Sequence, residues 1–420
     1  MMMSKAALIS VFGLAGVAAA MTAQGCSNSS SPSPASNQDS GTSTNPMDSG
    51  TQQQPHDSGA SSSNDSGGSS TTDSGGSSNV DAGAWAPSNV PAATLSGLTG
   101  VAVQIGAEMG AYNSCTADTS KGTWACNGNA PMAMGAQFKQ SGAGGNAYVW
   151  VLSSLSIDNG YSLDVQGTQP GIIVVTGDVS IGGTVTTEAG QQAGTDGAQP
   201  ANGESGMSCD DNNFISGGGG AFCGAGGSGL GSADAGPDAS GPGGMPYGTA
   251  NLIPLLTGGA GGACNGGGTG GGALQISAYG SLTVLQGGSI AAVGSEGNEY
   301  GMVSGGGGAG GAILLESPSV AIAGTISVNG GSGGDSTNNG NNGTVGASGA
   351  PGGGQGGGQG SGGATINGGD GNNGTGGDFG AGGGGAGWIR INTVGQPTIS
   401  GGILSPSATT SCYSVGTLGM

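Results

Sequence analysis

The stretch Gly310-Gly-Ala-Ile-Leu-Leu-Glu-Ser317 follows a run of glycines and opens onto Val320-Ala-Ile322 and Thr325-Ile-Ser-Val328. Its counterparts are Gly271-Gly-Ala-Leu-Gln-Ile-Ser-Ala278 and Ala386-Gly-Trp-Ile-Arg-Ile-Asn-Thr393, each also preceded by glycines and followed by short alternating runs. A unit that recurs in this way marks a stacked architecture, in which no single repeat buries its apolar face alone. Alternation with period 2 is the signature of strands.

Working outward, five groups of three short strands align, over 148–165, 171–187, 273–293, 312–328 and 388–404. The first two begin 23 residues apart, the length of one coil of a three-faced solenoid. The expected fold class is all-β: a short right-handed parallel β-helix of about five three-strand coils, spanning 148–404. Long glycine-rich insertions interrupt it at 190–271, 294–310 and 329–386, a capping region precedes it at 85–147, and a C-terminal cap follows at 405–420.

Aligned by their motifs, Val149, Ile172, Leu274, Ile313 and Ile389 form one inward column, and Val151, Val174, Ile276, Leu315 and Ile391 the next. The alternate column, expected to face outward, is Trp150, Ile173, Gln275, Leu314 and Arg390. An apolar outer stripe is covered by something. The glycine-rich insertions are the expected cover. A ligand face carrying Trp150 and Arg390 is the sharper alternative.

Composition narrows the class. Of 420 residues 103 are Gly, and only 17 are Pro. Such a chain cannot build a thick core but can build a quasi-one-dimensional one. Glycines fall at every third position from Gly340 to Gly352 and again from Gly368 to Gly383. A three-residue period is that of a polyproline-II turn, and glycine on one edge lets such chains pack without Cβ atoms. A poly-glycine layer is therefore expected in the last insertion. The net charge is −20, from 24 acidic against 4 basic residues. Nucleic-acid binding needs clustered Lys and Arg and is excluded as a partner class.

The N-terminus carries Lys5, an apolar stretch from Ala6 to Ala20, and Ala23-Gln-Gly-Cys26. This is the layout of a signal peptide over 1–25, with Cys26 as the lipidated residue of a lipobox in which Ala23 replaces the usual Leu. Residues 26–84 then read as the lipidated Cys plus a disordered Ser/Asp/Gly stalk in which Asp-Ser-Gly recurs at Asp39, Asp48, Asp57, Asp65 and Asp73. So polar a tract cannot bury enough surface to fold. The membrane is the expected partner through the lipid anchor, and the expected localisation is the cell envelope, as an outer-membrane or cell-surface lipoprotein.

Six further cysteines are disulfide candidates: Cys115, Cys126, Cys209, Cys223, Cys264 and Cys412. Six cysteines leave 15 connectivities open. Short separations favour Cys115–Cys126 and Cys209–Cys223, leaving Cys264–Cys412.

No catalytic residue is assigned. The only His, His56, lies in the stalk, so triads and His-based metal sites are absent from the domain. Neither Lys121 nor Lys139 has a sequence signal of activation. Asp210/Asp211 and Glu296/Glu299 are the nearest approaches to the paired carboxylates of glycoside hydrolysis, and read as solvated loop charges. Gly330-Gly-Ser-Gly-Gly-Asp335 matches the opening of a calcium-binding nonapeptide, but Thr337 stands where a large apolar residue belongs. No metal site is assigned, and Ca²⁺ is the one cofactor kept as an alternative.

The tract 307–331, the segment Gly387-Trp-Ile-Arg-Ile-Asn-Thr393 and the closing Cys412-Tyr-Ser-Val-Gly-Thr-Leu418 resemble a family of glycine-rich predicted lipoproteins of myxobacterial type. The resemblance implies a cell-envelope protein of unknown function and transfers no catalytic residue. The fold also resembles the pectin-lyase type. Those lyases set Arg or Lys beside calcium-binding acids on one outer face, and only Arg390 matches here. The expected function is thus a surface-anchored, non-enzymatic envelope lipoprotein with a structural or adhesive role, and glycans or other envelope components as partners. A polysaccharide-binding or polysaccharide-cleaving protein, or a Ca-dependent module, is the alternative.

Overall fold

The computed structural model describes residues 85–108, 112–129, 132–141, 144–187, 215–231, 240–256, 259, 262, 266–300, 303–373 and 379–418. The signal-peptide, Cys26 and stalk expectations lie outside these residues, as do Cys209, Cys264, Asp210 and Asp211.

The chain is nearly all β, with a curled parallel sheet. Curling originates in one long strand, Asn146–Ile157. Its first half pairs in parallel with Gly171–Val175, and its second half with Val179–Ile181. One ladder grows from the first half through Gly171–Val175, Ala273–Ala278, Ala312–Glu316, Trp388–Thr393 and Tyr413–Thr417. A second grows from the other half through Val179–Ile181, Ser281–Val284, Ser319–Ile322 and Thr398–Ile399. A separate eight-stranded sheet contributes the third, through Ser162–Gln166, Thr184–Thr186, Ser289–Ala291, Thr325–Ser327 and Ile403–Ser405. All these neighbours run parallel. Each sequence group therefore contributes to the three ladders in chain order, the first group serving two of them with the single strand Asn146–Ile157.

The three ladders enclose one apolar core. Ile276, Leu315 and Ile391 from the first meet Leu282 and Val320 from the second, and Leu163, Val185, Ile290 and Ile326 from the third. At its N-terminal end Trp150 packs edge-on against Trp124, with ring centroids 6.0 Å apart. There the hairpin of Ser114–Asp118 and Thr123–Cys126 heads the third ladder, and Ala136–Lys139 lies antiparallel to Asn146–Ile157.

The observed register corrects the expected columns. Val149 opposes Ile172, but Ile172 opposes Gln275 rather than Leu274, and Ile173 opposes Ile276. The inward column is Trp150, Ile173, Ile276, Leu315 and Ile391, while Val149, Val151, Ile172 and Val174 lie on the outer face. Trp150 is fully buried and belongs to the core, not to a ligand face. A one-residue slip moves every side chain to the opposite face. It arises because Gly171–Val175 is buried on both sides, and strands covered on both faces lose the alternation that reveals direction.

The insertions cover that outer face, as expected of an apolar stripe. Phe222, Leu252 and Leu255 pack on Ile172, Val174 and Leu314, joined by Val90 from the N-terminal side. Beyond them the glycine tracts form a layer of their own. Along 380–387 the N–H groups of Gly380, Gly383 and Ala386 donate to the carbonyls of Asn372, Gly369 and Ile366. Those of Ala381, Gly384 and Gly387 donate to Gly334, Gly331 and Val328, and those of Gly382 and Gly385 to Gly217 and Gly220. Successive donors thus point to three different neighbours, as a three-residue turn requires. The same step recurs where Gly340 and Gly343 donate to Gly297 and Gly294, and Gly368 and Gly371 to Ala225 and Ser228.

Cys115 is bonded to Cys126. Cys223 is bonded to Cys412, across 189 residues, which corrects the expected Cys209–Cys223 and Cys264–Cys412 pairs. Sequence distance misleads because the hydrogen bonds from Cys223 and Gly224 to the carbonyl of Ala386 bring the first insertion against the last part of the chain.

Two predictions follow from the layer and its staple. A Cβ on Gly310 runs into the carbonyl of Val328, whereas one on Gly395 meets nothing within 4 Å. Gly310→Ala is expected to cost about 1–3 kcal/mol in urea unfolding, and Gly395→Ala to leave the midpoint essentially unchanged. Peptide mapping without reduction is expected to recover Cys223 joined to Cys412, and removing that bridge to cost about 2–4 kcal/mol.

Candidate functional site

On the outer face of the first ladder the apolar stripe gives way to polar side chains. Side chains two apart on a strand share a face. Gln275 and Ser277, Leu314 and Glu316, and Arg390 and Asn392 are therefore neighbours across three strands. Ser277, Glu316 and Asn392 form one row, with Gly416 as its last member.

Glu316 is the centre of this patch and is fully buried. Its Oε2 accepts from Gln275 Nε2 at 2.8 Å and from Ser277 Oγ at 2.9 Å. Its Oε1 accepts from Asn392 Nδ2 at 2.9 Å. Two further donors come from outside the sheet: the Ser88 N–H, at 3.1 Å from Oε2, and the Ser88 hydroxyl, which bonds Oε1. All five partners donate, which suits an acceptor-only carboxylate. Burial of a charge is tolerable only with such compensation.

Arg390 stands at the rim, half-buried, with Nε donating to Asn392 Oδ1 at 2.7 Å. Its guanidinium lies over Gly416, where any Cβ would collide with it. Burial lowers the Arg390 pKa, and the charge of Glu316 opposes that shift. Tyr279 is raised, first by burial and then by Glu316. The tyrosine ring is stacked on Trp85, with centroids 5.2 Å apart. Asn89 completes the set, donating from Nδ2 to Gln275 Oε1 at 3.0 Å and to the Leu252 carbonyl at 2.9 Å.

Both Glu316 oxygens are occupied by donors, and the network holds one carboxylate where glycoside hydrolysis uses two. It gathers amides, a carboxylate and a guanidinium beside an aromatic ring, buried beneath Ser88 and Asn89 except for Arg390 at the rim.

The other sequence candidates lie elsewhere. Lys121 pairs with Asp118 at 2.6 Å, with the lysine side chain mostly exposed. The backbones of Glu296 and Glu299 are held by Asn342 and Asn339 side chains in the glycine layer. The Asp335 carboxylate is engaged by neighbouring loop residues. Its Oδ1 accepts from Thr337 and Asn338, and its Oδ2 from the Gln355 N–H. A separate cleft of about 700 Å³ in the layer is lined by Gln355, Gln359, Asp370 and Asn372 among others.

Sequence reading picked out Arg390 and missed Gln275, Ser277, Glu316 and Asn392 as a set. The available signal was four polar residues at alternate positions of otherwise apolar strands. Comparison with family models, curated proteins and solved structures finds no match to this chain.

Two substitutions test the electrostatics. Glu316→Gln sets an amide donor against existing donors, and is expected to cost about 1–3 kcal/mol per unsatisfied group in urea unfolding. Burial raises the Asp335 pKa, but hydrogen bonds from Thr337, Asn338 and Gln355 outweigh it and leave the group below its ordinary value. A depressed carboxylate contributes stability above its unfolded pKa of about 3.9, lost as pH falls through the lower folded value. Asp335→Asn is expected to lower the melting temperature at pH 7 and to narrow the gap from wild type as pH drops below about 4.

Proposed function

We propose that this is an exported, lipid-anchored protein of the cell envelope, whose folded part is a short right-handed parallel β-helix with a non-enzymatic adhesive role toward glycans. In this reading Cys26 carries the lipid and residues 27–84 hold the domain away from the membrane. The resemblance to glycine-rich lipoproteins belongs to the same reading.

The β-helix rests on the three parallel ladders, to which the sequence groups contribute in chain order. Right-handedness follows the strong preference of parallel crossovers. The adhesive role rests on one observation above all: the outer face of the first ladder gathers Gln275, Ser277, Glu316, Asn392 and Arg390 beside the Tyr279 ring, beneath residues 85–90. Planar hydrogen-bonding groups around an aromatic surface recognise hydroxyl-rich ligands by orientation, with the ring supplying contact area. The net charge of −20 favours neutral over acidic polysaccharides.

Three measurements test this. Radiolabelled palmitate is expected in wild type and absent from Cys26→Ser, which should shift to the soluble fraction; an unlabelled wild type contradicts anchoring. Proteinase K on intact cells is expected to release the domain, and complete resistance contradicts surface display. Incubation with neutral and acidic polysaccharides, with and without Ca²⁺, followed by size separation, is expected to give intact chains that co-elute with the protein. Shortened chains would replace adhesion with cleavage.

A further inference from the structure

Residues 85–90, Trp-Ala-Pro-Ser-Asn-Val, occupy the polar face as a ligand would. Trp85 stacks on Tyr279. Ser88 supplies two of the five donors on Glu316. Asn89 reaches Gln275, and Val90 enters the apolar patch beside it. The segment thus offers a ring, a hydroxyl and an amide to groups that recognise such features in a saccharide.

Its attachment is incomplete. The Trp85 indole N–H, like those of the core residues Trp124 and Trp150, has no hydrogen-bond partner among the described residues, so Trp85 is held by ring contact alone. The connection onward is short: the helix Ala92–Leu95 has no fully buried residue and no side-chain cap at Pro91, and it rests on the body through half-buried Leu95 and Leu98. The first strand of the body begins only at Val101. On the other side lies the Ser/Gly/Asp-rich tract. By contrast, Gln275, Ser277, Glu316 and Asn392 sit on paired strands of one ladder and are hydrogen-bonded to one another directly.

We propose that residues 85–90 are a displaceable self-ligand, and that the groove beneath them takes a neutral, hydroxyl-rich oligosaccharide once they leave. The inference rests on the adhesive reading above and adds its site and its control. In the open state a sugar hydroxyl replaces the Ser88 hydroxyl at Glu316, and the Tyr279 ring, freed of Trp85, carries the sugar face. The chain is then self-inhibited: apparent affinity falls by the fraction of molecules in which the segment is out. A pull on the stalk, or a high local density of glycan, raises that fraction.

The test uses the full chain and three neutral probes, cellohexaose, maltohexaose and laminarihexaose, by calorimetric titration. The variant Trp85→Ala/Ser88→Ala/Asn89→Ala is expected to bind at least one probe about tenfold more tightly than wild type, and adding Glu316→Gln to reverse the gain. In wild type, saturating probe is expected to speed deuterium exchange at the Ser88, Asn89 and Val90 amides. Binding that is equal in wild type and variant, or that leaves those amides unchanged, overturns the self-ligand and leaves adhesion at another surface. No binding by either protein overturns adhesion as well. Should the triple variant fail to fold, the exchange measurement on wild type decides alone.

Discussion

Buried peptide groups have to be hydrogen-bonded, and this chain meets that demand with backbones so close that no Cβ fits between them. In 380–387 each amide in turn addresses a different neighbour, so the tract is bonded in three directions at once. A β-strand, with donors in two opposite directions, cannot do this. The consequence is a layer that continues in line with the first ladder, since 305–311 and 380–387 run directly into Ala312–Glu316 and Trp388–Thr393, while Phe222, Leu252 and Leu255 cover that ladder's outer face. That cover lets the first ladder be apolar on both sides without exposing a hydrophobic stripe.

From the layer follow the other features. The core between the ladders is thin, because strands of three to six residues place few inward side chains each. Close approach also fixes the register of distant tracts. The 217–220 tract bonds to 304–307 and 382–385, and the Cys223–Cys412 disulfide fastens the first insertion to the C-terminal end. The polar face around Glu316 begins where the apolar cover ends. Its carboxylate is kept in a buried position by donors from the two flanking strands and from Ser88.

How much of this is legible in the sequence depends on whether the two faces of a strand differ. In 273–278, 312–316 and 388–393 they do: Gln275, Glu316, Arg390 and Asn392 mark one face, and Leu274, Ile313, Ile389, Ile276, Leu315 and Ile391 stack on the other, as their alternation indicates. In 148–152 and 171–175 they do not. Ile172 and Ile173 are equally apolar, so nothing local distinguishes core from cover, and Trp150 is misplaced by one residue. Glycine spacing reveals the three-residue turn but not which tract lies beside which. The Cys223 pairing and the Glu316 network are therefore invisible to it. The Ser88 and Asn89 contacts are hidden for a further reason: they join residues more than 160 positions apart with no motif at either end.

The central claim is that the glycine tracts are a hydrogen-bonded lattice rather than loops. Residue-resolved hydrogen–deuterium exchange over 305–311 and 380–387 tests it most directly. The account predicts protection comparable to that of Ala312–Glu316 and Trp388–Thr393, the strands these tracts lead into. Exchange at the rate of a free peptide across both tracts, with those strands protected, would contradict it.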